Sequence, residues 1–386
     1  LTAGGIRIAS IGVLCAYGLG TDALAAGLRA GSCPVSPASG IGFPADAPPL
    51  VSRFDAARYP RGEAGAAAAL LEVVEHAAGR YAGGIHAIAA SDCALIVGTG
   101  GFLYASGAEL YGRATGTIPA DTPFRVRGPG WGAELIAERY AMRGPRATLS
   151  TGCSSSANAL LLAIEMLQRE QVRRALVVGA EGLSAVTLSG FDALMLLAPD
   201  GCRPFDRDRG GLQLGEGIAA LVLERDDTAH AALTLLGGAN ACDTHHLTSA
   251  SPDGAVMREV MREALGSAGI AHESIVAVKA HGTGSADSDA AEANALRGTF
   301  VRAMPPLTAL KRYLGHTLGA CGTLELVALA ACLERGFVPA AAGFRTRDPE
   351  LGIEPLREAI DAPRGHYLLN FFGFGGNYTS LVVRHA

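Results

Sequence analysis

Three short segments each set a reactive side chain beside a glycine-bearing turn. They are Ser150-Thr-Gly-Cys153-Ser-Ser-Ser, Ala280-His281-Gly-Thr-Gly, and Leu310-Lys311-Arg-Tyr-Leu-Gly-His316-Thr-Leu-Gly-Ala. A thiolate attacks acyl groups, and two imidazoles can hold and polarise a second reactant, so the set suits covalent acyl chemistry. Cys153 falls between an expected strand at 147–151 and an expected helix at 154–171. The N–H groups and partial positive charge of a helix start are then expected to lower the pKa of its sulfur. His281 closes an apolar run at 275–280, and His316 sits in a second strand-to-helix turn, five residues after Lys311. Taken singly, each has a structural reading: a buried thiol, a satisfied core histidine, a surface lysine. Together they fit one mechanism.

The elements that must position these groups alternate between short apolar runs and helical stretches, the pattern of an α/β protein. Strands are expected at 6–13, 94–97, 147–151, 175–179, 218–224, 233–238, 275–280 and 367–371, and helices at 21–31, 154–171, 255–266 and 317–335. The first helix is expected to be capped by Thr21 or Asp22. Three features recur between halves. A strand running into Gly-Thr-Gly occurs at 96–100 and 278–284, a strand-turn-apolar helix at Cys153 and His316, and a strand ending in glycines at 177–182 and 368–376. This order implies a duplicated fold rather than a short repeat array. The expected halves are 1–226, which carries the thiol, and 227–386, which carries the two histidines. The irregular stretch 115–132 reads as an insertion near the site.

Composition narrows the function classes. The chain has 386 residues, 49 % of them hydrophobic, enough for a large core. A net charge of −5 gives no electrostatic case for nucleic acid. The eight cysteines form no CxxC pair and no zinc-like spacing, and read mostly as small buried residues in a reducing compartment. The apolar N-terminus is broken by glycines and Arg7 and lacks a basic n-region. The run 324–333 is too short to span a membrane and contains Glu325. A soluble cytoplasmic enzyme is expected. The chain opens on Leu1, as expected of a processed chain.

These segments carry a resemblance. The chain resembles the β-ketoacyl-[acyl-carrier-protein] synthases of the thiolase-like superfamily, the condensing enzymes of fatty-acid and type II polyketide synthesis. Besides the three reactive segments, the match rests on Arg7-Ile-Ala-Ser-Ile-Gly-Val, Leu28-Arg-Ala-Gly-Ser, Pro199-Asp-Gly-Cys-Arg-Pro-Phe-Asp-Arg with Gly215-Glu-Gly, Asp243-Thr-His-His-Leu-Thr-Ser-Ala-Ser-Pro and Asn370-Phe-Phe-Gly-Phe-Gly-Gly-Asn. The resemblance implies a layered α-β-α-β-α core built from two α/β halves. It also implies a reaction, decarboxylative condensation. Cys153 accepts the acyl chain, and His281 and His316 bind the malonyl thioester and assist loss of its carboxylate. The N–H groups of Cys153 and Phe374 form an oxyanion hole. Lys311 orders the site, and Glu325 pairs internally with it or with a backbone group, since an unpaired buried carboxylate is costly. Thr283 and Ser285 hold the pantetheine arm. No metal or nucleotide cofactor is implied. The implied partners are an acidic acyl carrier protein and either a second copy or a chain-length subunit, with Arg203, Arg207 and Arg209 as carrier contacts or as internal partners of Asp206 and Asp208.

The chain also departs from the family pattern. Arg53-Phe-Asp-Ala-Ala-Arg-Tyr-Pro-Arg replaces a longer basic and aromatic segment that commonly touches the carrier. Asn377-Tyr378 follows the C-terminal glycines where the family has Thr or His and then Asn. Gly101 stands where a bulky residue often limits the acyl pocket, which implies a roomier pocket. Three other readings stay open. A coenzyme A-dependent thiolase needs a second cysteine near the C-terminus, and 373–376 has none. A non-catalytic chain-length subunit lacks the nucleophile. An initiating synthase uses Cys, His and Asn. The departures favour a specialised polyketide or polyene pathway.

Overall fold

The computed structural model of the protein describes residues 5–41, 43, 48–100, 112–119, 121, 127–226 and 231–386. Ten strands follow one another along the main sheet path. They are β1 (Ile6–Cys15), β2 (Cys93–Gly98), β3 (Arg146–Leu149), β4 (Arg174–Glu181), β5 (Gly217–Arg225), β6 (Leu233–Cys242), β7 (Ile275–Lys279), β8 (Leu307–Thr308), β9 (Gly365–Phe372) and β10 (Asn377–His385). Their spatial order is β8-β7-β9-β10-β6-β1-β5-β4-β2-β3. Read outward from the centre, β1-β5-β4-β2-β3 on one side matches β6-β10-β9-β7-β8 on the other, strand for strand. The duplication inferred from glycine-ended strands is therefore present in the topology. β2 pairs in parallel with β3 and β4, as β7 does with β8 and β9. The two sides are joined by a short antiparallel contact of β1 with β6, Ile6 to Leu235 and Arg7 to Thr234.

Side-chain alternation along these strands builds three cores. On β2, β4 and β5, Ile96, Val177 and Leu221 face a central cluster, whereas Leu95, Val97, Leu176, Val178 and Val222 face an outer one. On β7, β9 and β10, Ala277, Leu369, Phe371 and Leu381 face the same central cluster, and Val278, Leu368 and Val382 face a second outer one. The period of two along each strand accounts for this division. The central layer is filled by α4 (Ser155–Gln168) and α9 (Cys321–Leu333). The outer layers hold α2 (Glu63–Gly79) with α3 (Trp131–Tyr140), and α6 (Ala255–Ala268) with α7 (Ala286–Thr299). Also placed are α1 (Thr21–Arg29), α5 (Ala185–Ala193) and α8 (Lys311–Leu314). The result is the α-β-α-β-α layering. Every residue of α9 is buried, because it lies between the two sides of the sheet. Among the described residues no helix is long and apolar enough to cross a membrane.

Two expectations differ from the structure. The N-cap of α1 is Gly20, with no side-chain cap from Thr21 or Asp22. The strand reading stopped at 371, yet β10 lies mid-sheet between β9 and β6. Its polar opening hid it. Thr379 and Ser380 are fully buried, and their hydroxyls donate to Asn158 Oδ1 and Asn370 Oδ1, both at 2.8 Å. Residues 127–132 of the expected insertion lead into α3, while 120 and 122–126 lie outside the described residues.

The helices α4 and α9 touch where a side chain is not tolerated. A Cβ on Gly322 would stand 2.1 Å from the backbone nitrogen of Ala157. Backbone on one side and a packed sheet on the other leave nothing to yield. Gly322→Ala is therefore expected to cost about 3 kcal/mol, the upper part of the range for overpacked cores. Urea unfolding of the variant beside the parent measures it.

Candidate active site

Cys153 lies in a single 3-10 turn, Gly152–Ser154, between β3 and α4. The turn is built from its neighbours. Ser155 Oγ accepts the Thr151 N–H at 2.9 Å and donates to the Gly152 carbonyl at 2.6 Å, and Ser154 Oγ donates to the Thr151 carbonyl at 2.9 Å. Gly152 adopts φ 59°, in the left-handed region, and a Cβ there would lie 3.1 Å from the Phe374 carbonyl. The glycine thus lets the Cys153 turn and the Phe374 turn pack together. The thiol is 5 % exposed. Its pKa moves opposite to the expected direction: burial pushes it up to about 11, while the N–H of Phe374 and the charge of Lys311 pull it down. Resting Cys153 is a thiol, and it needs a base when it reacts.

His281 follows β7 and is 2 % exposed. Its backbone N–H donates to Glu292 Oε1 at 2.8 Å, and the Gly282 N–H donates to Glu292 Oε2 at 2.9 Å. Asp289 accepts from the N–H groups of Phe205, Thr283 and Gly284 at 2.7, 3.0 and 3.2 Å. Two buried carboxylates on α7 therefore clamp the histidine loop. Burial moves Asp289 to about 7 and pushes Glu292 up, offset by the N–H groups they accept. His281 Nδ1 is buried without a hydrogen-bond partner.

His316 lies after α8, also 2 % exposed, with its ring 5.5 Å from that of His281 in a T-shaped pair. The Leu318 N–H donates to His316 Nδ1 at 3.3 Å. A backbone N–H can only donate, so Nδ1 is an acceptor and Nε2 carries the hydrogen. Cys321 Sγ, 3.1 Å from the same Nδ1, adds a second donor, and Thr317 Oγ1 reaches that sulfur at 3.6 Å. Burial, reinforced by the cations Lys311 and Lys279, drives both imidazoles well below their ordinary pKa. They are neutral N–H donors at physiological pH.

Cys153, His281, His316, Phe374, Thr283 and Ser285 line one cavity of 430 Å³, together with Phe191, His246 and Leu247. The Phe374 ring stacks on Phe191 at 5.7 Å and 22°. Thr283 Oγ1 and Ser285 Oγ lie 3.0 Å apart. Lys311 and Glu325 do not line the cavity. Glu325 is buried behind it, and the Lys311 ammonium donates to Glu325 Oε1 at 2.6 Å, the internal pairing expected from burial. Gly101 lies outside the described residues. Arg209 is taken up by Asp348 at 2.6 Å, and Arg207 lies 3.2 Å from its neighbour Asp208.

The sequence reading passed over Lys279, Asp289, Glu292, Glu181 and Cys321. Asp289 and Glu292 carried a signal: two acids three residues apart at the start of a helix, directly after a glycine loop whose N–H groups need acceptors. Glu181 carried none. It ends β4 and accepts N–H bonds from Gly100 at 2.5 Å and Gly319 at 3.2 Å, which joins the two Gly-bearing turns. Burial raises it to about 7.

Two family models match the chain: "Beta-ketoacyl synthase, N-terminal domain" over residues 64–229 and "Beta-ketoacyl synthase, C-terminal domain" over residues 233–345. A tetracenomycin polyketide synthase ketoacyl synthase alpha subunit of Streptomyces glaucescens is 33 % identical over 64 % of this chain and 62 % of that protein. A putative polyketide beta-ketoacyl synthase 1 of Streptomyces cyaneus is 31 % identical over 67 % of this chain and 65 % of that protein. These matches thus span slightly under two thirds of the relatives' length. Among solved structures, a ketosynthase (ApeO) in complex with its chain length factor (ApeC) from Xenorhabdus doucetiae superposes with TM-score 0.88, at 28 % identity, over 99 % of this chain and 98 % of that one. A buried thiol and two neutral imidazoles in one cavity, on a duplicated α-β-α-β-α fold matched along both halves, place this chain in the beta-ketoacyl synthase family.

Proposed function

We propose that the protein joins an acyl thioester to malonyl-acyl-carrier protein by decarboxylative Claisen condensation, giving a β-ketoacyl-carrier protein, in a specialised polyketide or polyene pathway. The observation that carries this reading is the meeting of Cys153, His281 and His316, all three buried, in one cavity. A non-catalytic chain-length subunit has no use for a nucleophile in that place.

The residues divide the work as follows. The Cys153 sulfur attacks the acyl carbonyl and the carrier thiol departs. A neutral imidazole lining the same cavity takes the Cys153 proton, and His281, whose Nδ1 is unpartnered, has a ring nitrogen free for it. The malonyl thioester then enters, its arm held by the hydroxyls of Thr283 and Ser285. The N–H groups of the two imidazoles hydrogen-bond the thioester oxygen as the carboxylate leaves as carbon dioxide. That loss places two electrons on the α-carbon as an enolate, which attacks the acyl carbonyl on Cys153. The N–H groups of Cys153 and Phe374 hold the resulting oxyanion until the Cys153 thiolate is expelled. Neutral imidazoles fit this task, because an imidazolium donates more strongly but requires a buried charge.

The carrier must present its arm at the mouth of the cavity, which Leu194, Met195 and Leu247 line with exposed side chains. With Arg209 committed to Asp348, the loop 199–217 offers fewer free cations for an acidic partner than its sequence implied. The second subunit, a further copy or a chain-length factor like the one named with the Xenorhabdus ketosynthase, completes the assembly. The eight cysteines, none in a disulfide, fit a cytoplasmic site of action. Incubation with acyl- and malonyl-loaded carrier proteins tests the reading. A carrier-bound product longer by two carbons and bearing a ketone is expected; unchanged substrates across a panel of acyl lengths would refute it.

A further inference from the structure

Lysine occurs at only two positions in the whole chain, 279 and 311, although Lys and Arg together number 32. Arginine serves everywhere else. Both lysines are fully buried, and both ammonium groups contact one carboxylate: Lys279 Nζ donates to Glu325 Oε2 at 2.5 Å and Lys311 Nζ to Oε1 at 2.6 Å. Lys279 also donates to the Asn370 carbonyl at 2.6 Å and stands 3.6 Å from the centre of the Phe371 ring. An ammonium fits between a carboxylate, a carbonyl and a ring face at these distances, whereas a planar guanidinium is wider.

We propose that Lys279 is a positioning residue of the condensation site: it ties the strand that leads to His281 to the helix that follows His316, and with Lys311 it fixes a net positive charge behind both imidazoles. The proposal rests on the ketosynthase reading. The tie is continuous. Lys279 lies on β7 two residues before His281, and Glu325 lies on α9 nine residues after His316. Asn370, whose carbonyl Lys279 holds, donates its Nδ2 to Glu292 Oε1 at 3.2 Å, and the same oxygen accepts the His281 N–H. With two ammonium groups and one carboxylate, the trio carries one unit of positive charge. The groups facing Lys279 are Glu325 on α9, Lys311 on α8, Glu292 on α7, the carbonyl of Asn370 and the ring of Phe371 on β9, and the two imidazoles. Lys279 contributes to holding both imidazoles neutral. Its own pKa is brought down to about 8, first by burial, and Glu325 opposes the shift. It is thus a cation at neutral pH. A positive charge there opposes imidazolium formation and favours the enolate, an anion.

Three measurements test this. In protein labelled with 13C at lysine Cε, two resonances are expected, one titrating near pH 8 and one remaining charged above it. Two resonances that both titrate at the ordinary lysine value would overturn the proposal, and this readout needs neither a variant nor activity. In Lys279→Met the trio becomes neutral. Malonyl decarboxylation is expected to fall about tenfold, its acid limb and the imidazole NMR titrations to move to higher pH, and acyl loading of Cys153 to persist. In the double variant Lys279→Met with Glu325→Gln, Lys311 alone restores one positive charge. The acid limb and imidazole titrations are then expected to move back toward the parent, which a merely structural role does not produce. A Lys279→Met protein with the parent's imidazole titrations and decarboxylation profile would refute the proposal. A parent protein that decarboxylates no malonyl carrier at all would instead refute the ketosynthase reading, and the lysine titrations would still stand.

Discussion

Cys153→Ala is expected to lose acyl loading and condensation by roughly a thousandfold or more while keeping the parent fold. The magnitude is that of removing a covalent nucleophile. The fold survives because the change deletes one sulfur at the wall of a cavity, and the hydrogen bonds of its turn run through Thr151, Gly152, Ser154 and Ser155 instead. The imidazole pair is untouched, so malonyl decarboxylation is expected to continue. Rapid-quench assays of each half-reaction, with circular dichroism as the folding control, separate these outcomes. An alanine variant that still condenses would remove Cys153 from the mechanism.

The converse holds for His316. His316→Ala is expected to keep acyl transfer to Cys153, whereas His281→Ala slows it as well through loss of the base, and both are expected to slow decarboxylation about a hundredfold or more, the cost of a positioned donor to a developing oxyanion. Release of labelled carbon dioxide from carboxyl-labelled malonyl carrier measures it, and normal release from both variants would contradict their roles. The same assay has a predicted pH course. Both imidazoles are depressed below the ordinary value of 6.5, so the active neutral forms persist as pH falls through 6.5. The histidine acid limb is therefore expected well below 6.5. The sign for stability follows. The unfolded chain takes up these protons first, so the histidine contribution is complete above 6.5 and is lost as pH falls from there toward the folded pKa values.

Much of this was legible in the sequence because the chemistry sits at strand ends. Cys153, His281 and His316 each follow an apolar run and precede a turn, and the recurrence of such units foretold the matching strand orders of the two halves. Less legible were groups whose partners are far away in sequence. Lys279 reads as one charge in an apolar strand, Val276-Ala-Val-Lys-Ala, and only folding brings Glu325 and Asn370 to it. Glu181 likewise meets Gly100 and Gly319 from distant segments. β10 opens with Asn-Tyr-Thr-Ser, which reads as a turn until its hydroxyls find buried acceptors. The thiol pKa was misread because helix position was weighed and burial was not. At Cys153, burial is the largest influence.

The most direct test of the account is the mass of the protein after exposure to a panel of acyl-loaded carrier proteins. The expected result is one acyl group per chain, recovered on the tryptic peptide that contains Cys153 and absent from the Cys153→Ala protein. An acyl group on any of the other seven cysteines, or on none while condensation proceeds, would contradict it.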